Sequence, residues 1–295
     1  MKRSDFKLQR YRMIREIGRG TSGIVWEAFD NKRGEAVALK TMRSEIPDQY
    51  YPYLLQEARR MATLHHTSLV NVYNAGQLED GRPFYTMSLI DGVNLQQHMS
   101  SCESTWAQKA SILKQLCQVL SYAYGKGYVH RDVKPANVMI DRQGKVFLVD
   151  WGTAEHVQSD NSTKSESVKG TPLYIAPELI AGERATHASD QYAFGVILYQ
   201  WLTGQDPFVS DTIGGLLEKI ESEQPARPSQ LVGSQLHHEM DALCMRLLSK
   251  RPEERFLSWD DVFLALDSVT FRHTPPPPSW FAPPVQHAFA ISSQF

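Results

Sequence analysis

Residues 130–152 read HRDVKPANVMIDRQGKVFLVDWG, and nearly every polar side chain in the run has a chemistry to offer. Val138-Met139-Ile140 and Val146-Phe147-Leu148-Val149 are apolar and rich in strand formers. Asp141-Arg142-Gln143-Gly144 between them is a turn sequence, so the stretch reads as a short hairpin. Polar groups stand at both open ends, Asn137 before the hairpin and Asp150 after it. The hairpin brings them close in space, and both carry the hard oxygens that Mg²⁺ accepts. Asp132 is a candidate base toward a hydroxyl nucleophile. Lys134, two residues on, places a cation within reach of a transferring phosphoryl group.

His-Arg-Asp, Lys-Pro, Asn and Asp-x-Gly in this order and spacing resemble the catalytic loop and metal-binding motif of the protein kinases, serine/threonine branch. The resemblance runs over about residues 11–268. It implies an α+β, bilobal protein kinase fold: a small β-rich N-lobe with one helix and a larger helical C-lobe. The expected divisions are a lead-in over 1–10, the N-lobe over 11–90, the C-lobe over 91–270 and a proline-rich tail over 271–295. It also implies ATP as the phosphoryl donor, with Mg²⁺ as the metal and Mn²⁺ as an alternative, and protein Ser or Thr hydroxyls as acceptors.

Further motifs support the resemblance. Gly18-Arg19-Gly20-Thr21-Ser22-Gly23-Ile24-Val25 lies between two strand-like runs with no helix directly after it. That suits a glycine-rich hairpin over phosphates better than a dinucleotide fold, which needs strand, turn and helix in succession. Ala36–Lys40 reads as a strand ending in the lysine that, in the family, holds the α- and β-phosphates. Residues 50–64 have helix-forming composition, and Glu57 is their only acidic residue, hence the expected partner of Lys40. Strands are expected over Leu69–Ala75 and Phe84–Ile90. By resemblance Met87 guards the back of the adenine pocket, Ser88 and Ile90 offer backbone groups to adenine, and Asn94 meets the ribose. Ile17, Gly18, Gly20, Gly23, Val25, Ala38 and Met139 complete the implied nucleotide site.

Thr105–Lys126 has apolar residues at helical spacing. Residues 153–169 are polar and hold Ser159, Ser162, Thr163, Ser165 and Ser167, followed by Gly170-Thr171-Pro172-Leu173-Tyr174-Ile175-Ala176-Pro177-Glu178. The family places its activation segment there. Asp190 is expected to precede a buried helix over Gln191–Leu202, with further helices near 212–222, 235–249 and 258–268. Arg255 matches the arginine that pairs with the glutamate of the Pro-Glu motif. Lys134 after Asp132, with Thr171 ahead of that motif, is the serine/threonine rather than the tyrosine pattern.

Composition narrows the class. The 295-residue chain is 42% hydrophobic and 22% charged with a net charge of −2, which is ordinary for a globular protein and argues against nucleic acid as a partner. Cys102, Cys117 and Cys244 are widely spaced, as suits a reducing compartment. No apolar run approaches the roughly 18–20 residues of a membrane span, and the basic N-terminus lacks the apolar core of a secretory signal. A cytoplasmic location follows as the expectation, or delivery into a host cytosol. Pro275–Pro278 and Pro283-Pro284, interleaved with Trp280, Phe281, Phe289 and Phe295, read as a tether or as a docking segment. Oligomeric state is not legible.

Three departures from the family pattern stand out. Trp151 replaces the Phe of Asp-Phe-Gly, and is expected to stack with Met61, Val72 and His130 while its indole N–H needs a partner. Arg131 marks kinases in which a loop phosphate pairs with that arginine. Glu155, however, stands where a second basic residue is common, so loop phosphorylation is expected to help without being obligatory. Ala136 replaces a residue that is often acidic where basic substrates are preferred. The segments VYNAG (72–76), HRDVKPANV and GTPLYIAPE are most similar to bacterial eukaryotic-like kinases, many of which carry a membrane span and sensor that this sequence lacks. The rival reading is a pseudokinase, an ATP-binding scaffold. Its usual sign is loss of a residue equivalent to Lys40, Asp132, Asn137 or Asp150, and all four are present.

Overall fold

Three strands open the chain as an antiparallel meander: β1 (Tyr11–Arg19), β2 (Gly23–Asp30) and β3 (Glu35–Met42). The structure, a computed structural model, describes residues 10–20, 23–101, 104–157, 172–232 and 238–273. The serines of the polar loop, Thr171 and the proline-rich segment from Pro275 onward lie outside these residues. After α1 (Tyr51–Thr63) come β4 (Val72–Gln77) and β5 (Pro83–Ser88), which close a five-stranded sheet in the order β1-β2-β3-β5-β4. Alternation along β3 sorts its side chains between the sheet's two faces. Val37 and Leu39 join Tyr11, Ala28, Leu78 and Phe84 on one face. Ala38 and Met42 face α1 on the other.

The sequence of α1 decides what it carries inward. Its buried residues are Leu54, Glu57, Ala58 and Met61, one stripe at helical spacing. Glu57 is therefore an acid on an apolar stripe, which requires a partner inside.

The second lobe is mainly helical. A small sheet joins β6 (Gly92–Asn94), β8 (Val138–Asp141) and β9 (Val146–Leu148), while β7 (Tyr128–Val129) pairs with β10 (Glu155–His156). The helices are α2 (Leu95–Ser101), α3 (Trp106–Gly125), α4 (Pro177–Ile180), α5 (His187–Thr203), α6 (Ile213–Ser222), α7 (Pro228–Val232), α8 (His238–Leu247) and α9 (Trp259–His273). Thr105 caps α3 through a reciprocal capping box with Gln108. The two-lobed arrangement and the hairpin at 138–148 agree with the sequence reading.

Several boundaries differ. β4 begins at Val72 rather than Leu69, because Leu69 and Val70 are buried in a turn in which the Leu69 N–H bonds the His66 carbonyl. β5 ends at Ser88, two residues early. α5 begins at His187, so Asp190 lies inside its first turn. The start is set by Thr186, whose hydroxyl accepts the Ala188 N–H. α9 runs to His273, so its last three residues fall in the stretch assigned to the tail.

One buried ion pair ties the segment between α8 and α9 to α4. Arg255 and Glu178 are both buried. The five N–H donors of a guanidinium all find acceptors here: two on the Glu178 carboxylate, and one each on the carbonyls of Ala188, Ser249 and Lys250. Removing one partner of such a pair strands the other charge. Arg255→Met is therefore expected to cost roughly 3–5 kcal/mol of folding stability, measured by denaturant unfolding. A loss under about 1 kcal/mol would show the pair to be dispensable.

Candidate active site

Lys40 sits near the end of β3, opposite Val25 of β2 and Tyr85 of β5. Its ammonium lies 2.8 Å from Glu57 Oε1 and 2.8 Å from Asp150 Oδ1. Burial disfavours its charge, but the carboxylates of Glu57 and Asp150 beside it outweigh this, and it is held above the ordinary lysine value. Tyr85, buried beneath the pair, donates its hydroxyl to Glu57 Oε1 at 2.9 Å. Sequence reading missed this residue, since nothing marks one buried strand tyrosine from another.

Asp150 stands at the mouth of the hairpin with its side chain 47% exposed. Lys40 holds its carboxyl below the usual carboxylate range, so it is ionised at neutral pH. Its backbone is left-handed, with φ 64°, a conformation that non-glycine residues adopt at a cost. Trp151 is fully buried and pays for the turn in part: its indole N–H donates to the Leu148 carbonyl at 3.1 Å. Its ring meets His130 edge-on with centroids 4.7 Å apart. Met61 shares the same core, and Val72 packs against it. The partner that the indole required is thus a carbonyl three residues back.

Asp132 is buried and held from two sides. Lys134 Nζ lies 3.0 and 2.7 Å from its two oxygens, and Asn137 Nδ2 donates to its Oδ2 at 2.9 Å and to its carbonyl at 2.8 Å. Both amide hydrogens of Asn137 are thereby committed, and its Oδ1 is left as an acceptor. The hairpin aligns the two ends as expected, with the Val149 N–H bonded to the Asn137 carbonyl. Asn137 Oδ1 and the second oxygen of Asp150 are a hard-oxygen donor set of two. Among the described residues no cluster of three or more His, Cys, Asp or Glu could hold a metal. Two protein oxygens suit an ion that keeps water and phosphate in its remaining positions, as Mg²⁺ does.

The loop carrying Asp132 is strained and braced. Arg131 has φ 68°. The buried Asp190 carboxylate accepts the N–H of His130 at 2.8 Å and that of Arg131 at 2.9 Å. Burial pushes the Asp190 carboxyl up against these bonds. The Arg131 side chain forms an ion pair with Glu155 on β10. The position that sequence reading marked as unusual is thus itself the partner of the arginine.

The residues expected to line a nucleotide come from both lobes. Ala38 is opposite Met87 across β3 and β5, and Asn94 is opposite Met139 across β6 and β8. Ile17 and Gly18 are on β1, and Gly20 bonds the Gly23 carbonyl through its N–H at 2.9 Å. Gly23 has a packing reason as well: a Cβ there would lie 3.0 Å from the Thr41 carbonyl oxygen. Ser88 donates its N–H to the Asn71 carbonyl, and its hydroxyl accepts the Asn71 N–H and lies 3.1 Å from the Tyr73 hydroxyl. Asn94 caps α2: its Oδ1 accepts the Gln97 N–H at 2.8 Å, and Gln97 returns a bond. Gly92 was not singled out by sequence, yet a Cβ there would come within 2.0 Å of the Ile140 carbonyl oxygen.

Comparison with known proteins agrees with this geometry. A family model described as the protein kinase domain matches residues 11–263. The chain is 34% identical over 283 residues to the serine/threonine-protein kinase PknA of Mycobacterium tuberculosis, covering 93% of this chain and 64% of that protein. It is 32% identical over 267 residues to a probable serine/threonine-protein kinase of Streptomyces coelicolor, covering 88% and 40%. With PknB of Mycobacterium leprae the identity is 32% over 254 residues, covering 84% and 41%. The chain thus spans from 40% to 64% of the length of these relatives.

Trp151→Phe removes the donor to Leu148 and part of the buried volume. The expected cost is roughly 1–3 kcal/mol of stability, read by denaturant unfolding, with Lys40 still able to hold Asp150. Unchanged stability would mean that the indole bond contributes nothing.

Proposed function

The chain belongs to the protein kinase family, and on that premise we propose that it is an ATP-dependent serine/threonine protein kinase that also phosphorylates itself. The observation that carries the reading is Lys40 held simultaneously by Glu57 and Asp150. A scaffold that had lost catalysis has no need of a buried ammonium joined to both a helix and a metal ligand.

When bound, ATP supplies the γ-phosphoryl group, and Mg²⁺ or Mn²⁺ neutralises charge on its phosphates. The chain's own residues do the positioning. Lys40 holds the α- and β-phosphates. The backbone at Gly18, Gly20 and Gly23 covers them, with Ile17, Val25, Ala38, Met87 and Met139 lining the base and Ser88 and Ile90 offering it backbone groups. Asn137 and Asp150 hold the metal. Asp132 orients the Ser or Thr hydroxyl and accepts its proton. Lys134, resting on Asp132 in this structure, is within reach to stabilise charge on the transferring group. Such chemistry asks the protein mainly for alignment and charge neutralisation.

Proteins with Ser or Thr hydroxyls are the proposed substrates, and Ala136 removes one acidic feature that would favour basic ones. The Arg131–Glu155 pair supports activity that is helped by loop phosphorylation without depending on it, because Arg131 already has a counterion. No helix among the described residues is long and apolar enough to cross a membrane. A cytoplasmic site of action, and docking through the proline-rich tail, are part of this proposal.

The test is incubation with labelled ATP and Mg²⁺, wild type beside Asp132→Asn, with phosphosites mapped by mass spectrometry. Label on Ser or Thr that vanishes in the variant is the expected result. Wild type treated with phosphatase is expected to retain measurable initial activity. Bound ATP without any transfer would contradict the proposal, and complete loss after phosphatase would contradict the role given to Glu155.

A further inference from the structure

Helix α1 touches the metal-binding turn at a second place. Arg60 lies three residues after Glu57, one turn along α1, and residues at that spacing are neighbours on one helix surface. Arg60 Nη1 is 3.3 Å from the Trp151 carbonyl oxygen and 3.3 Å from that of Gly152. The Trp151 carbonyl also closes the turn after Asp150 by accepting the Ala154 N–H at 3.2 Å. Gly152 is close to Glu57 as well: a Cβ there would lie 3.5 Å from Glu57 Oε2. One helix therefore grips this turn through two charges of opposite sign. Glu57 reaches the Asp150 side chain by way of Lys40, and Arg60 reaches the backbone behind it directly.

Three fixings hold Asp150 in its left-handed conformation: the Lys40 ammonium, the Trp151 indole on Leu148 and the Arg60 clasp. Arg60 alone joins α1 to the turn's backbone without Lys40 as intermediary. We propose that Arg60 is a positioning residue for the phosphoryl-transfer site. By clasping the carbonyls of Trp151 and Gly152, it locks the Asp150 carboxylate in its metal-binding position whenever α1 is packed inward. The inference rests on the kinase reading above. Hydrogen bonds to a charged donor are the stronger kind, and these two are long, so removing them is expected to act on the geometry of the turn rather than on folding.

Arg60→Met and Arg60→Lys in the full chain test this. For Arg60→Met the expected result is a fall in kcat/KM of about tenfold, the order expected for lost charged hydrogen bonds. The Mg²⁺ concentration needed for half-maximal rate should rise, and Arg60→Lys should recover part of both. Hydrogen exchange at the Ala154 amide supplies a readout that needs no activity, and it should quicken several-fold in Arg60→Met. A variant with the wild-type Mg²⁺ requirement and unchanged Ala154 exchange overturns the proposal, even if its melting temperature falls. If the wild type transfers no phosphoryl group, the kinase reading fails, while the exchange measurement still decides whether Arg60 positions the turn.

Discussion

One ammonium group between two carboxylates organises this molecule. Lys40, Glu57 and Asp150 come from a strand, a helix and a hairpin mouth, the last of them 110 residues away from Lys40 in sequence. Burying a lone charge is costly, so Lys40 is inside only because two acids meet it there. The same holds in reverse for Glu57, which lies on the apolar stripe of α1 with Lys40 and Tyr85 as its partners. Each element is thus placed by the others. Moving α1 outward would take Glu57 from Lys40 and leave Asp150 as the lysine's one acid partner of the two, so the helix position and the setting of Asp150 are coupled through a single ammonium.

The second lobe supplies a rigid floor beneath this triad. Two residues of the active-site segment, Arg131 and Asp150, have left-handed backbones. Such conformations persist when the surroundings over-determine them. For Arg131 the brace is Asp190, which lies in the first turn of the buried helix α5 and whose carboxylate accepts the consecutive N–H groups of His130 and Arg131. That helix is in turn tied through Ala188 and Ser189 to the Arg255–Glu178 pair. Strain at the chemistry is balanced by buried polar bonds one layer below it, and those bonds in turn rest on the apolar core around α5.

Much of this was legible in the sequence because the chemistry needs particular side chains at fixed spacing. The hairpin between Asn137 and Asp150 follows from two apolar runs and a turn. Glu57 follows from being the sole acid on its helix. What was not legible depends on three-dimensional neighbours. Nothing in the sequence of Trp151 says that its N–H finds Leu148, or in that of Tyr85 that it supports Glu57. Glu155 was marked as an oddity, but its union with Arg131 needed the pairing of β10 with β7. Asn94, expected at a ribose, also caps α2 through its Oδ1, a contact that the sequence does not announce. Strand and helix ends shifted for ordinary local reasons, Thr186 at the start of α5 being the clearest.

The most direct test of the central claim is calorimetric titration of ATP, with and without Mg²⁺, into wild type and Asp150→Asn. A pre-assembled triad predicts that Mg²⁺ tightens ATP binding in wild type and that the variant loses this gain while keeping metal-free affinity. Binding that ignores Mg²⁺ equally in both proteins would contradict the account, since Asp150 would then be placed by Lys40 without serving a metal.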